Sequence, residues 1–347
     1  MAMPVRSGDT LIFSTPPVVR AWACAGGKKE AEGPLAVEFD LLFSDTSFGC
    51  GKWEKAESLL QQKCVARCLT KAGLDPDQVD LAFGGDLQAQ CTASNYTMRW
   101  LGAPYAGLYG ACSTMAEGLA LAACFAAAGF ARQALAFTSS HFCAAERQFR
   151  TPLDYGGKRT TTAQWTATAA GACILSPGGG QAGVPVTSVT FGRVQDYEVH
   201  DINNMGAAMM PAAVSTLCHH FADTATRPAD YDAIFTGDLG RVGSGLLHDQ
   251  MRREGLPLEN HLDCGCLLYD VDTQQVQAGG SGAGCSAAVL CAHVLPRLMD
   301  GRWRRVLFLS TGALMSQTTY LQGESIPGIA HAVELAAPDT VPAKKEA

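Results

Sequence analysis

The 347-residue chain has no Cys-x-x-Cys pair among its 14 cysteines, so the spacing used by zinc ribbons and thioredoxin-like sites is missing. It also lacks an apolar run of bilayer length. The longest, Gly118 to Ala131, is closed off by Glu117 and Arg132 and falls short of the ~18 residues a span requires. Met1 to Val19 contain Asp9, Pro4, Pro16 and Pro17 but no signal-peptide core, so an intracellular chain with reduced thiols is expected. Positive charge is scarce: 26 Lys+Arg stand against 33 Asp+Glu, a net charge of −7. Such a sum repels phosphate backbones and excludes a simple nucleic-acid binder. The one dense basic cluster, Arg302, Arg304 and Arg305, reads as a solvated strand edge or helix end. No EF-hand-like acidic loop is present, and the soft-ligand group His261, Cys264 and Cys266 lacks an evident fourth member, so no metal is expected.

What is present is apolar residue, 47% against 17% charged, enough for a large core. There is also an internal repeat. Residues 76–87 read PDQVDLAFGGDL and residues 228–239 read PADYDAIFTGDL. Gly110-Ala111-Cys112-Ser113 is echoed by Ala283-Gly284-Cys285-Ser286, and the apolar strand from Ala134 to Ser139 by Val306 to Ser310. Three echoes in one order imply a duplicated unit. In the first copy the pattern predicts a helix over Trp53 to Ala72, a strand over Val79 to Phe83, and a turn at Gly84-Gly85-Asp86. A strand near Tyr105 to Tyr109, a helix over Ser113 to Ala128 and a strand over Ala134 to Thr138 follow. Helix and strand alternation implies an α/β fold with mixed, mainly parallel sheets, and the helix from Ser113, apolar almost all round, belongs between two of them. The units are read as residues 1–176, with a loop insertion at about 142–168, and residues 184–336, leaving 337–347 as a loose tail. Between them, Gly178 to Gly183 matches G-x-G-x-x-G but leads into the β-like Val184 to Val189 instead of a helix, so it reads as a linker turn.

The sharpest chemical candidate is Cys112, placed between an apolar strand and the buried helix. There the first-turn amides would stabilise a thiolate and depress its pKa; the alternative is a small residue at a tight junction. Cys285, its echo, is read as packing. His331, in GIAHAV, and His141, after Ser139-Ser140, are read as hydrogen-bonding site residues or as satisfied core histidines. The segment from Glu146 to Thr168 carries Arg147 and Arg150 three residues apart, suited to a bidentate grip on a carboxylate or to a subunit interface.

Several longer stretches carry a resemblance: WEKAE at Trp53 to Glu57, YGACST at Tyr109 to Thr114, TSSH at Thr138 to His141, AERQFR at Ala145 to Arg150, DYGG at Asp154 to Gly157, AGGSG at Ala278 to Gly282, IAH at Ile329 to His331, and the paired GDL motifs. Through essentially its whole length the chain resembles the stage V sporulation protein AD family, within the thiolase and ketoacyl synthase fold. The resemblance implies a duplicated five-layer αβαβα arrangement and a homodimer. It also implies binding of dipicolinate (pyridine-2,6-dicarboxylate) for uptake into the developing spore and release at germination, beside the other proteins of the stage V sporulation A membrane complex. That places the chain peripherally at the spore inner membrane.

Departures from the condensing enzymes bear on activity. Where those enzymes carry a catalytic His after the second-copy strand, this chain reads Thr236-Gly237-Asp238-Leu239. Their Asn falls within Gly279 to Gly282, which has none, and the second Cys of thiolases is replaced by Gly328. Losing even one oxyanion donor costs on the order of 10²-fold, so binding is expected in place of acyl transfer. The alternative is an acyl-CoA-dependent condensing or acyltransferase enzyme with Cys112 as nucleophile. The ligand-binding set expected from these readings is Cys112, Ser113, His141, Arg147, Arg150, Gly282 and His331, with no cofactor and Ca²⁺ only as the chelate of dipicolinate.

Overall fold

The computed structural model describes residues 4–149 and 159–340. β1 (Val5–Ser7), β2 (Thr10–Ile12), β3 (Val18–Gly26) and β4 (Leu41–Leu42) precede α1 (Trp53–Ala72), β5 (Leu81–Gly85), α2 (Thr92–Leu101), β6 (Tyr105–Gly107) and α3 (Thr114–Ala127). They are followed by β7 (Ala134–Ser140), α4 (Phe142–Phe149), β8 (Trp165–Thr166) and β9 (Ala169–Ser176). The order then recurs with β10 (Val184–Thr190), α5 (Met205–Thr224), β11 (Ala233–Thr236), α6 (Gly240–Arg253), β12 (His261–Asp263), α7 (Cys264–Leu268), β13 (Gly280–Ser281) and α8 (Ala283–Val289). The chain closes with α9 (Leu295–Met299), β14 (Arg305–Ala313), α10 (Gln317–Leu321) and β15 (Gly328–Ala336).

The strands of the first half lie in the order β6-β5-β7-β9-β3 and those of the second in the order β12-β11-β14-β15-β10, with β3 joined to β10. β5 runs parallel to β6 and β7, and β9 runs antiparallel to β7 and β3, so four of these five strands share one direction. β11 is likewise parallel to β12 and β14, with β15 reversed. The sheets are therefore mixed, with one reversed strand in each. Both faces are buried, and the side-chain period of two separates them cleanly. Ile174 and Ala172 of β9 face an outer core with Leu60 and Val65 of α1, while Cys173 and Leu175 face the central core. In the second half Leu307 and Leu309 of β14 face α5, whereas Val306 and Phe308 point inward. The central layer is α3 with α8, which is why α3 has no polar face: it touches β5, β7 and β9 on one side and β14 and β15 on the other. With α1 and α2 outside one sheet and α5 and α6 outside the other, the layers number five.

Two expectations shift. The first strand lies at Leu81–Gly85, two residues beyond the predicted Val79 to Phe83, because residues 76–78 form a 3₁₀ turn before it. Gly84 and Gly85 belong to that strand and do not make a turn: a Cβ on Gly84 would meet the Phe137 carbonyl at 2.3 Å, and one on Gly85 the Leu108 carbonyl at 1.8 Å. Close backbone approach, not positive φ, requires glycine there. The linker reading of Gly178 to Gly183 agrees with the structure, which runs from it directly into β10. All fourteen cysteines are free thiols.

Gly312 of β14 is another close approach: its Cβ would fall 2.4 Å from the Gly110 carbonyl, just before Cys112. Gly312→Ala is therefore expected to destabilise the fold by about 1–3 kcal/mol. Gly245→Ala, in the open interior of α6 with nothing within 4 Å, should stabilise by about 0.5–1 kcal/mol. Denaturant midpoints of the two variants check both signs.

Candidate functional site

Cys112 lies in a single 3₁₀ turn, Ala111–Ser113, that feeds α3. Ala111 holds φ +53°, a strained value for a residue with a Cβ. The turn is pinned by Ser113 Oγ donating to the Gly110 carbonyl at 2.6 Å and Thr114 Oγ1 donating to the Ala111 carbonyl at 2.8 Å. The Cys112 side chain faces across the molecular duplication to the second half. Its Sγ is 4.0 Å from Ser281 Oγ, and the carboxylate of Asp238, at the end of β11, lies beside it.

Asp238 is wholly buried. Its Oδ2 accepts from Ser281 Oγ and from the Gly282 amide, each at 2.9 Å, and its Oδ1 accepts from Thr311 Oγ1 at 2.9 Å. Burial pushes its pKa up to about 6 while these donors pull it back. Gly282, at φ +104°, is the residue that turns its amide toward the carboxylate.

This arrangement overturns the expected activation of Cys112. The thiol pKa is raised well above the ordinary value, first by burial and then by the charge of Asp238. A helix start favours a thiolate only where the sulfur is accessible and no anion is nearer than the amides. Here the thiol is a neutral hydrogen donor facing a carboxylate.

Outside this cluster opens a cavity of about 260 Å³. Its walls combine apolar Leu87, Phe149, Met205 and Met315 with the hydroxyls of Tyr109, Thr166, Ser281, Ser316 and Thr319, and Cys112 forms part of its floor. No lysine or arginine of the described residues lines it.

The structure brings together only part of the expected ligand set. Cys112 and Gly282 meet through Asp238, and Ser113 stands behind Cys112 as a buried support of its turn. His141 is buried elsewhere, hydrogen-bonded to the Thr46 carbonyl at 2.9 Å and lining a different cavity. Arg147 is half-exposed on α4 and ion-paired with Glu54. His331, on β15, takes the Gly192 amide on Nδ1 at 3.2 Å and does not line the Cys112 cavity; burial lowers its pKa to about 4. Arg150 lies outside the described residues. His261 joins a chain with His248 and Thr236, and no group of three or more His, Cys, Asp or Glu among the described residues is placed to hold a metal ion. Asp238, Ser281 and Thr311 were not legible as site residues. The available signal was the GDL repeat, whose second copy contains Asp238. Its first copy, Asp86, binds Ser94 and Gln88 within one half and touches no cavity of this kind.

The fold and a cysteine at the head of a buried central helix define a thiolase-like protein of the ketoacyl synthase III type. Among solved structures, 3-oxoacyl-[acyl-carrier-protein] synthase III from Aquifex aeolicus is similar with a TM-score of 0.56 at 12% identity, over 92% of this chain and 99% of that one. Its counterpart from Pseudomonas aeruginosa has a TM-score of 0.54 at 16% identity, over 93% and 98%. Both show the fold alone. The model of the stage V sporulation protein AD family matches residues 7–336. Stage V sporulation protein AD of Bacillus subtilis (strain 168) is 42% identical over 332 residues, 95% of this chain and 97% of that protein. The chain belongs to the stage V sporulation protein AD family. No helix among the described residues is long and apolar enough to cross a membrane.

Two outcomes follow from Asp238. Because its folded pKa of about 6 exceeds the ordinary aspartate value of 3.8, its contribution to stability is fully present below pH ~4 and is lost as pH rises through ~6, on the order of 3 kcal/mol in all. Asp238→Asn should flatten thermal stability across that window. The same variant should quicken alkylation of Cys112 by iodoacetamide roughly tenfold, read by peptide mass spectrometry, while in the parent chain the partly exposed Cys50 is labelled first.

Proposed function

We propose that the chain binds dipicolinate in the Cys112 cavity, as a peripheral subunit working with the membrane proteins of the stage V sporulation A complex in uptake into the developing spore and release at germination. The observation that carries this reading is the cluster at Cys112: the thiol faces the wholly buried carboxylate of Asp238, which Ser281, Gly282 and Thr311 hold in place. A neutral thiol beside an anion does not attack a thioester, and a buried carboxylate opposes the enolate that condensation develops. What survives is a pocket.

At about 260 Å³ the cavity is just below the ~300–1,000 Å³ of drug-sized sites and suits a one-ring ligand. Flat apolar side chains offer faces for a pyridine ring, and the rim hydroxyls offer donors to carboxylate oxygens. The cationic partner expected from the segment Glu146 to Thr168 is not among the described residues that line the cavity. Calcium is required by none of the described side chains and enters as the chelate of the ligand. A homodimer is supported by the free edge of β6 and the exposed rings of Tyr96, Trp100 and Tyr109 beside it.

Calorimetric titration with dipicolinate is expected to show saturable binding. Met205→Trp, which fills the cavity from a half-buried position, should abolish it. A dianion beside Asp238 favours the protonated carboxyl, so affinity should rise as pH falls from about 7.5 toward 6. Stable thioester formation on Cys112 from labelled acyl-CoA, with no dipicolinate uptake, would establish the acyl-transfer alternative instead.

A further inference from the structure

A second cavity, of about 320 Å³, lies on the other side of β8. Successive residues of that strand divide the two spaces: Thr166 lines the Cys112 cavity and Trp165 lines this one. Its walls come from the end of β3 with Lys28 and Lys29, and from the start of α4 with His141 and Cys143.

The groups around it lack partners in a consistent way. The His141 ring is 1% exposed, and its Nε2–H donates to the Thr46 carbonyl, which can only accept. The ring is clamped by stacking on Trp53, with centroids 5.6 Å apart. Its Nδ1 is buried with no hydrogen-bond partner, a loss typically worth about 1–3 kcal/mol. Lys29 Nζ is held 4.4 Å from the centre of the Trp165 ring. Glu32 and Glu30 both act on its charge, while the Glu30 carboxylate is hydrogen-bonded by the amides of Gly27 and Thr168 and by the Tyr269 hydroxyl. At the start of α4 the Phe142 amide is occupied by Thr168 Oγ1 and the Ala145 amide by the His141 carbonyl, which leaves those of Cys143 and Ala144 without an acceptor within the helix. Lys28, Lys29, His141 and the start of α4 thus share one cavity, which Glu32 and the already hydrogen-bonded Glu30 also line.

We propose that this cavity is a second ligand site, separate from the Cys112 cavity, which takes a small carboxylate or phosphate anion between Lys28, Lys29 and the first turn of α4. The Trp165 face is already covered by Lys29, and Phe142 stacks on the ring with centroids 4.1 Å apart, so the site selects a compact oxyanion and not an aromatic ring. As the anion enters, His141 takes a proton from solvent at Nδ1 and becomes a donor to it. Glu54 on α1 and the hydrogen bond to the Thr46 carbonyl favour that proton, and Lys28, Lys29, Glu30 and Glu32 are the other charged side chains lining the cavity. Burial alone keeps the vacant ring neutral.

The full chain is titrated with inorganic phosphate and, in a parallel arm, with malonate, while NMR follows the His141 ring. Saturable binding of one or both, stronger at about pH 6 than at about pH 8, with a shift of the His141 signal toward the protonated form, is the expected result. Preference between the arms assigns phosphate or carboxylate. Lys29→Gln should weaken binding about tenfold and leave dipicolinate titration unchanged, and His141→Gln should remove the pH dependence. Absence of saturable binding in both arms overturns the proposal, as does binding indifferent to Lys29→Gln, or displacement of the anion by equimolar dipicolinate. Loss of dipicolinate binding in Met205→Trp with anion binding intact would show that the two sites are separate.

Discussion

The buried carboxylate of Asp238 is the constraint around which the site is organised. An ionised group removed from water must recover its lost hydration from fixed donors, and those donors come from separate places: the Gly282 amide at the start of α8, the Ser281 hydroxyl on β13, and the Thr311 hydroxyl on β14. Cys112, from the other half of the duplication, completes the circle. One charge thereby ties the starts of both central helices to the sheet of the second half. It also decides the chemistry, because it makes the neighbouring thiol harder to ionise.

The scaffold explains how such a charge is tolerated. Two sheets buried on both faces and two apolar central helices leave very little water at the heart of the molecule, so any polar group there acts at close range and low dielectric. In a condensing enzyme that environment serves to stabilise charge developing on a substrate. Here the carboxylate is supplied by the protein itself and is satisfied by donors of the fold. The duplication divides labour as well: of the paired GDL motifs, Asp86 organises the start of α2 within its own half, while Asp238 reaches the shared centre.

Much of the architecture was legible from residue patterns. The repeat of PDQVDLAFGGDL, the apolar stretch after Cys112 and the alternation of elements imply duplicated α/β units with a central buried helix. Helix α1 was bounded correctly because Leu60, Cys64, Val65, Cys68 and Leu69 recur at helical spacing on its buried face and Gly73, at φ +64°, caps it. The site was less legible. Spacing along the chain says nothing of which side of β8 a residue faces, so His141 and Cys112 were grouped although Trp165 and Thr166 divide their cavities. A local rule, that a helix start lowers a thiol pKa, failed at Cys112 because a residue 126 positions away supplies the nearer charge.

What the chain by itself determined is therefore the set of elements, their duplication and the family, all of which are properties of local periodicity and of motifs read in order. Only the tertiary structure decided that Asp238, Ser281 and Thr311 close upon Cys112, that Gly84, Gly85 and Gly312 are glycines of close approach, and that two cavities lie back to back across a short strand. The physical reason is range. Periodicity is set by neighbours a few residues apart, whereas burial, charge and cavity shape depend on which distant segments the packing of two sheets around shared helices brings within a few ångströms.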